Sequence, residues 1–438
     1  MKLTSTRRKA SLLMASLLAG SLALTACGAD NGGGDGDADG YDPDEEITLT
    51  VSWWGNDERA RMMDEVFDLF MERHENITIA AEPTGDPENL FTRLSTDFAA
   101  GGGPDLFTLG GALPQEYGGA GQLLDLSTVS EHVDLDVYED FTTTNATVDD
   151  VLYGLPTGGN AIGLLVNHTL FDEAGVERLS ENVGWDEFSE KAAQISANSD
   201  VVGLDLRIQD IIATYISQLN DIGLYDWDGN LAVTPEELAT WYEKEVEWAE
   251  SGAIADPSVV VEHHTVTPDM SLFGTREAAL SFGYSNQLEA YTAALGDDEV
   301  TMILPPTDTD NPGVAVLPSQ FWSINANTEN PEASAMLMDF LLNDTEAAEL
   351  ILANRGLQFN PEVLEHIEPM LDPASAIAAT YLQDVLESGV VAPPQPAGGA
   401  EMNSLSQRME SDILFGNRSV DEAVTYWIEY MEEQLAAG

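Results

Sequence analysis

The chain has 438 residues, of which 78 are acidic and 16 basic, so its formal net charge at pH 7 is −62. A surface this acidic argues against nucleic acid as a partner, and the length predicts two lobes rather than one simple core. The acidic side chains repel one another, and high salt would screen that repulsion, so we predict a halophilic source with an acidic proteome. The alternative is a generally acidic secreted protein.

The first 26 residues have the layout of a secretory signal peptide. An uncharged run from Ala10 to Ala26 follows a short basic segment. A membrane-spanning helix is the alternative, but the run is short and rich in Ser, Gly and Ala. Sec and twin-arginine export both remain open because Arg7-Arg8 fits the twin-arginine motif poorly. The basic residues of the segment are Lys2, Arg7, Arg8 and Lys9.

Cys27 is the only cysteine and follows Leu24-Thr25-Ala26, which resembles a bacterial lipobox. A lone cysteine cannot form an internal disulfide, so its place at the cleavage site predicts a lipid anchor such as palmitate. Residues 27–46 contain almost no apolar side chains and read as a flexible acidic tether. Without the four basic residues of the signal, 12 basic and 78 acidic residues give the mature chain a formal charge of −66.

Strand and helix signals alternate through the first third of the folded body. This β-α-β-α-β order predicts a mostly parallel sheet with helices on both faces. The predicted elements are a strand from Ile47 to Trp54, a helix from Asp57 to His74, a strand from Asn76 to Ala81, a helix with Asp86 as its cap and Pro87 in its first turn, and a strand from Asp105 to Leu109.

Two adjacent tryptophans stand at the carboxyl end of the first strand, where ligands bind in sheets of this kind. Trp53 is predicted to pack into the core, while Trp54, next to Gly55, projects toward a crevice. Asn56 or Asp57 caps the following helix, whose free N–H groups face the same space. The alternative is that both indoles belong to the core.

The segment YGLPTGGNAIGLLVN has the breaks of a hinge, at Pro156, Gly158 and Gly159. A second crossing is predicted where Pro318 interrupts GVAVLPSQFWSIN. Two crossings imply lobes built from discontinuous segments. The predicted first lobe is 47–157 with 312–352, and the second is 158–311 with 353–438.

These segments together resemble the extracellular solute-binding proteins of ABC importers, in particular the sugar-binding branch that includes maltose-binding protein. The likeness covers nearly all of residues 45 to 435. It is carried, in chain order, by TLTVSWWG, STDFAAGGGPDLFTLGG, GQLLDLS, LYGLPTGGNAIGLLVN, GWDEFSEKAAQI, GTREAALSFGYSNQL and NTENPEASAMLMDFLLNDTEAAELI. In GWDEFSEKAAQI, Gly184 stands where the family usually has threonine.

The resemblance implies a two-lobed α/β receptor of the Venus-flytrap, periplasmic-binding-protein-like type. Each lobe would be a mostly parallel sheet flanked by helices. The receptor would close on a carbohydrate and present it to the permease, as a monomer without catalysis and without a cofactor or metal. Planar polar side chains and aromatic rings suit sugar hydroxyls and C–H faces.

The resemblance also places candidate ligand-binding residues along the chain. These are Trp54, Asn56, Asp57, Gly110 and Gln115 in the first lobe, Asn160 at the hinge, and Arg207, Gln209, Tyr284 and Asn286 in the second lobe. The turns LGGALPQ and APPQPAGGAEM lack an aromatic residue, which favours a mono-, di- or short oligosaccharide over a long maltodextrin. Gln395 offers a polar contact in the second of these turns.

Two motifs outside the predicted cleft have competing interpretations. Residues 226–237 place oxygen ligands as an EF-hand does, but Leu231 stands where the bend needs glycine. The rival is a tight turn, a short strand and a helix that Thr234 caps, with Pro235 in the first turn and Glu237 closing a capping box. His263-His264 is expected to be a surface pair rather than a metal site.

Other functional classes remain open. A surface-anchored polysaccharide-degrading enzyme would be recognised by glycan cleavage, although no sequence motif for hydrolysis is present. The same receptor fold with a non-sugar ligand, such as a glycerol phosphate, would call for arginine clamps or helix N-termini.

Overall fold

The computed structural model describes residues 41–111, 113–138, 140–180, 182–207, 211–264, 266–396 and 398–437. The signal peptide, Cys27, most of the tether and Gln209 therefore lie outside the described residues. Within the described part of the chain, no helix combines the length and the apolar character needed to cross a membrane.

The strands of the described residues include several short pairs besides the main sheets. They are β1 (Ile47–Trp54), β2 (Ile77–Thr84), β3 (Leu106–Leu109), β4 (Thr147–Val148), β5 (Val151–Leu152), β6 (Leu155–Pro156), β7 (Gly159–Asn160), β8 (Ile162–Asn167), β9 (Val202–Asp205), β10 (Ala278–Tyr284), β11 (Val300–Ile303), β12 (Leu317–Pro318) and β13 (Phe321–Ile324).

Helices surround these strands throughout. They are α1 (Asp57–Arg73), α2 (Pro87–Ala99), α3 (Leu113–Gly119), α4 (Asp140–Thr143), α5 (His168–Ala174), α6 (Trp185–Asn198), α7 (Ile211–Asn220), α8 (Pro235–Ser251), α9 (Pro257–His263), α10 (Leu288–Leu295), α11 (Pro331–Asn343), α12 (Thr345–Ile351), α13 (Pro361–Ile367), α14 (Pro373–Ser388), α15 (Met402–Leu414) and α16 (Val420–Ala437). Short 3₁₀ turns lie at Leu126–Val129, Thr144–Ala146, Pro268–Met270, Ser285–Gln287, Glu368–Met370 and Gly399–Glu401.

The first sheet has the strand order β2-β1-β3-β13-β6. The predicted β-α-β-α-β order is confirmed for β1 to β3. The predicted parallel pairing is also confirmed for these strands, because β1 runs parallel to both β2 and β3. The chain returns much later as β13, which runs antiparallel to β3 and to β6. The first lobe is therefore completed by a distant segment.

The second sheet has the order β11-β8-β10-β9. Only the β10–β9 pairing is parallel, whereas β8 runs antiparallel to both of its neighbours. The two-lobed α/β fold with helix-flanked sheets is confirmed. Both sheets are mixed, so the expectation of a mostly parallel sheet is wrong for the second lobe, where two of the three pairings are antiparallel.

Each sheet has its own apolar core. Buried residues around the first sheet fall within 47–155 and 322–351. Those around the second sheet fall within 161–316 and 357–431. Between the two cores, the chain passes through short segments that contact one another.

Glycines allow these crossing segments to pack closely. β7 pairs with β12, and Gly159 also forms a bridge with Leu357. A Cβ at Gly158 would lie 2.5 Å from the carbonyl carbon of Gly356. A side chain at Gly158 would therefore push two crossing segments apart.

Local capping signals set several helix starts. Asn56 precedes α1 and its Oδ1 accepts a hydrogen bond from the backbone N–H of Arg59 at 2.9 Å. α2 begins at Pro87, as predicted from the Asp-Pro pair. Thr234 and Glu237 form the predicted capping box at the start of α8.

Candidate functional site

Trp53 and Trp54 lie on opposite faces of β1, as alternation in a strand requires. Trp53 is fully buried, and its ring centroid lies 5.3 Å from that of Phe67 on α1 in an edge-to-face arrangement. Trp54 is half-buried and lies 5.3 Å edge-on to Phe91 on α2. A Cβ at Gly110 would lie 3.4 Å from the Trp54 indole, which is an ordinary contact distance, so the ring lies directly against this turn.

The other first-lobe candidates surround the same end of the sheet. Asn56 and Asp57 are exposed at the start of α1, where the Asn56 side chain acts as the helix cap. Gln115 lies on α3, and its Nε2 donates to the carbonyl oxygen of Thr144 at 3.0 Å. Its amide is thus committed to a neighbouring loop of the same lobe.

A cavity of about 650 Å³ lies beside the crossing segments and has walls from both lobes. We call it the hinge cavity. It brings together two of the predicted residues, Asn160 and Asn286. Asn160 donates from Nδ2 to Ser319 Oγ at 2.5 Å, which ties the two crossings together. Other lining residues that matter below are Arg59, Gln320, Asn354 and Arg355.

Arg59 approaches the hinge cavity from the first turn of α1. Its Nε donates to Asn354 Oδ1 at 2.8 Å and its Nη2 to the Asn354 carbonyl oxygen at 2.6 Å. Its Nη1 lies 3.5 Å from the carbonyl oxygen of Trp54. Partial burial lowers the pKa of Arg59 below its usual value.

Arg355 is a second arginine at this cavity and is only 3% exposed. Its Nη2 donates to Gln320 Oε1 at 2.7 Å, and its guanidinium carbon lies 4.8 Å from the ring centroid of Trp322. Burial, and then the charge of Arg59, lower the pKa of Arg355 to about 9. Sequence reasoning missed both arginines because they come from distant segments.

Tyr284 ends β10 and is half-buried against a different cavity, of about 260 Å³. Ile162, Tyr225 and Gln395 also line this second-lobe cavity. Gln395 donates from Nε2 to the Gly399 carbonyl oxygen at 2.8 Å. Tyr284 and Asn286 are thus close in sequence but line separate cavities, and the described residues that line either cavity do not include Trp54.

Arg207 is buried within the second lobe. Its Nη1 donates to the Tyr291 hydroxyl at 3.0 Å and its Nη2 to the Val266 carbonyl oxygen at 2.5 Å. These contacts hold the guanidinium inside the lobe in this structure. Gln209 lies outside the described residues, so its place is not assigned.

The EF-hand-like segment folds as the rival turn. Asp226 Oδ1 accepts hydrogen bonds from the backbone N–H of Asp228 at 3.0 Å and of Asn230 at 2.8 Å, and Tyr225 bridges to Leu231. The capping box at Thr234 follows directly. Among the described residues, no group of three or more His, Cys, Asp or Glu side chains is arranged to hold a metal ion.

The expectation of a surface histidine pair is wrong for His264. Its side chain is only 6% exposed and its Nε2 lies 2.8 Å from Glu410 Oε2, on α15. Glu410 and Glu245 are both fully buried, and Trp241 Nε1 donates to Glu245 Oε1 at 2.5 Å. Burial raises the pKa of both carboxyl groups well above the usual range.

The bacterial extracellular solute-binding protein family model matches residues 55–348. The chain belongs to this family. Receptors of this family bind solutes outside the cytoplasm, so an extracellular or periplasmic location follows. The family supplies no sign of catalysis.

Solved structures with the same fold come from several bacteria. A solute-binding protein of family 1 from Alicyclobacillus acidocaldarius is 20% identical, with a TM-score of 0.78 over 90% of this chain and 100% of that one. A periplasmic oligogalacturonide-binding protein from Yersinia enterocolitica, solved with saturated digalacturonic acid, is 22% identical, with a TM-score of 0.73 over 90% and 99%. An ABC substrate-binding protein from Listeria monocytogenes, solved with cycloalternan, is 18% identical, with a TM-score of 0.71 over 90% and 100%. At these identities the likeness establishes the fold.

Proposed function

We propose that this solute-binding protein captures a mono-, di- or short oligosaccharide and delivers it to the permease of an ABC importer. Membership of the family is the observation that carries the proposal. The sugar ligands of two structural neighbours, an oligogalacturonide and cycloalternan, support carbohydrate as the class of solute. The sugar-binding branch that includes maltose-binding protein is the branch we favour.

The proposed attachment uses the N-terminal segment. Residues 1–26 are the signal peptide, Cys27 carries lipid at the outer face of the plasma membrane, and residues 27–46 tether the receptor. The lobes are 47–157 with 312–352, and 158–311 with 353–438. The receptor acts as a monomer.

The proposed sugar contacts combine aromatic rings with polar groups at the ends of both sheets. Trp54 in the first lobe and Tyr284 in the second are both half-buried, so each keeps part of its ring available for a ligand. An aromatic ring stacks on the C–H face of a sugar while amides and carboxylates bind its hydroxyls. Asn56, Asp57 and Asn160 are the proposed hydroxyl partners.

A thermal-shift screen tests the proposal directly. The full-length protein is melted with a panel of neutral and acidic mono- and disaccharides at fixed ionic strength. A sugar present at about 100 times its Kd should stabilise the protein by roughly 2.7 kcal/mol. Binding without cleavage of the sugar supports a receptor. Cleavage would indicate a polysaccharide-degrading enzyme, and the absence of any shift across the panel would refute carbohydrate binding.

A further inference from the structure

Two arginines that are far apart in the sequence converge on the hinge cavity. Arg59 comes from the first turn of α1, and Arg355 from the last crossing segment. Arg59 is close enough for its charge to lower the pKa of Arg355. Two like charges therefore share one cavity, an arrangement that is unfavourable unless something offsets it.

Among the described residues, no carboxylate lies within ion-pairing distance of either arginine. Neither guanidinium belongs to an ion pair there with an N···O distance of 4.0 Å or less. By contrast, Arg73, Arg178 and Arg276 each contact two carboxylates. The chain has 78 acidic residues, so composition does not explain why these two arginines lack a close ion pair in the described part of the chain.

Arg355 also has unused donors. Its Nε and Nη1 are buried and have no hydrogen-bond acceptor among the described residues, although its Nη2 donates to Gln320 Oε1. A buried guanidinium with orphaned donors is unfavourable, because both its charge and its N–H groups lose water. An anion in the cavity would offset the charge, and a planar guanidinium suits the paired oxygens of an oxyanion.

The rest of the cavity is compatible with such a ligand. Its volume of about 650 Å³ is in the range of small-molecule sites, and the polar residues Asn160 and Asn286 also line it. Two carboxylates also line it. Asp372 caps α14 through the backbone N–H groups of Ala374 and Ser375, and Glu289 is exposed.

We propose that the hinge cavity is an oxyanion site, in which Arg59 and Arg355 hold a carboxylate, sulfate or phosphate group. The oxyanion is either the acid group of a captured small molecule, such as a uronic acid, or a free inorganic anion. Because the walls come from both lobes, the bound anion contacts both. This site does not depend on the proposed sugar contacts of Trp54 and Tyr284.

Isothermal titration calorimetry of the full-length protein tests the site. The probes are galacturonate, galactose, inorganic phosphate and sulfate, at one ionic strength set with sodium chloride. At least one oxyanion should bind, and Arg59→Gln should weaken that binding by about tenfold or more, because charge-assisted hydrogen bonds are lost. Arg61→Gln is the matched control: it removes the same charge from an exposed position on the same helix, and binding should stay within about twofold of wild type.

The probes separate the two sources of the anion. Binding of phosphate or sulfate identifies a free-ion site, whereas binding of galacturonate alone identifies the acid group of a sugar. Arg355→Gln should abolish binding of the oxyanion from either source. If that variant does not fold, the Arg59→Gln result tests the site, because Arg59 is only partly buried and its replacement should be tolerated.

Several results would overturn the proposal. It fails if no oxyanion binds, or if Arg59→Gln and Arg61→Gln weaken binding equally, which would indicate general electrostatics. Galactose binding without oxyanion binding would refute the oxyanion site and support the sugar receptor. Oxyanion binding without any sugar binding would support the oxyanion site and refute the sugar receptor.

Discussion

Truncating the two adjacent tryptophans should separate stability from ligand binding. Trp53 is fully buried against Phe67, and an aromatic side chain buries about 150–250 Å², worth roughly 4–6 kcal/mol at 25 cal/mol per Å². Trp53→Ala should therefore lower the free energy of unfolding by about 3–5 kcal/mol. Its indole N–H has no hydrogen-bond partner in the part of the chain that the structure describes, so the truncation removes no hydrogen bond seen there.

Trp54 should behave differently because it is only half-buried and makes an edge contact with Phe91. Trp54→Ala should lower the stability of the unliganded protein by about 1–2 kcal/mol. Its affinity for the sugar found in the thermal-shift screen should fall by about 2 kcal/mol or more, as buried aromatic anchors do.

Denaturant unfolding and calorimetry on the same preparations measure both effects. Phe91→Leu is a useful control, since it disturbs the packing of Trp54 and keeps the indole. The reasoning about the strand's two faces is refuted if Trp53 controls binding and Trp54 controls stability. If neither variant changes binding, the sugar contact assigned to Trp54 is wrong.

Three further predictions concern the anchor, salt and pH. Cys27→Ser should move the mature protein from the membrane fraction to the soluble fraction on cell fractionation; retention with an unprocessed N-terminus would indicate a spanning helix. The melting temperature should rise from dilute buffer to molar sodium chloride, because the mature charge of −66 is screened, and a flat profile would contradict the halophile hypothesis. Burial raises the pKa of Glu245 and Glu410 in the folded state. The folded protein therefore binds more protons than the unfolded chain, so the free energy of unfolding should fall as the pH rises above about 4.5. Glu245→Gln should flatten that decline in a series of melts from pH 4 to 8, whereas the exposed control Glu250→Gln should not; equal slopes in both variants would contradict the assignment.

The elements that sequence reasoning predicted well are those with local causes. β1 was readable from its apolar run, and α1 from the spacing of Met63, Val66 and Phe70, all of which are buried. The capping box at Thr234 was readable because its partners lie three residues apart. Such signals depend on neighbours in sequence, so the fold class could be predicted without knowledge of tertiary contacts.

The candidate site was less predictable because distant segments build it. Arg59 bonds to Asn354, 295 residues away, and no local pattern links them. His264 was expected at the surface, but Glu410 from α15 approaches it and helps to enclose it. Arg207 has the polarity of a ligand-binding residue, yet Tyr291 and Val266 hold it inside the lobe. In each case a partner that sequence spacing does not reveal decided the role.

The crossing segments help to explain why two arginines at the hinge cavity form no ion pair among the described residues of so acidic a protein. Gly158 packs against Gly356, which fixes the neighbouring Arg355 in the layer between the lobes, against Trp322 and Gln320. Asp372 and Glu289 also line the hinge cavity, but among the described residues neither forms an ion pair with these arginines. The flat face of the Arg355 guanidinium stacks on the indole of Trp322, which stabilises a cation at this position. The crossing segments, and no carboxylate among the described residues, position the guanidinium of Arg355. The contacts that hold the lobes together therefore also leave a buried positive charge that a bound anion would neutralise.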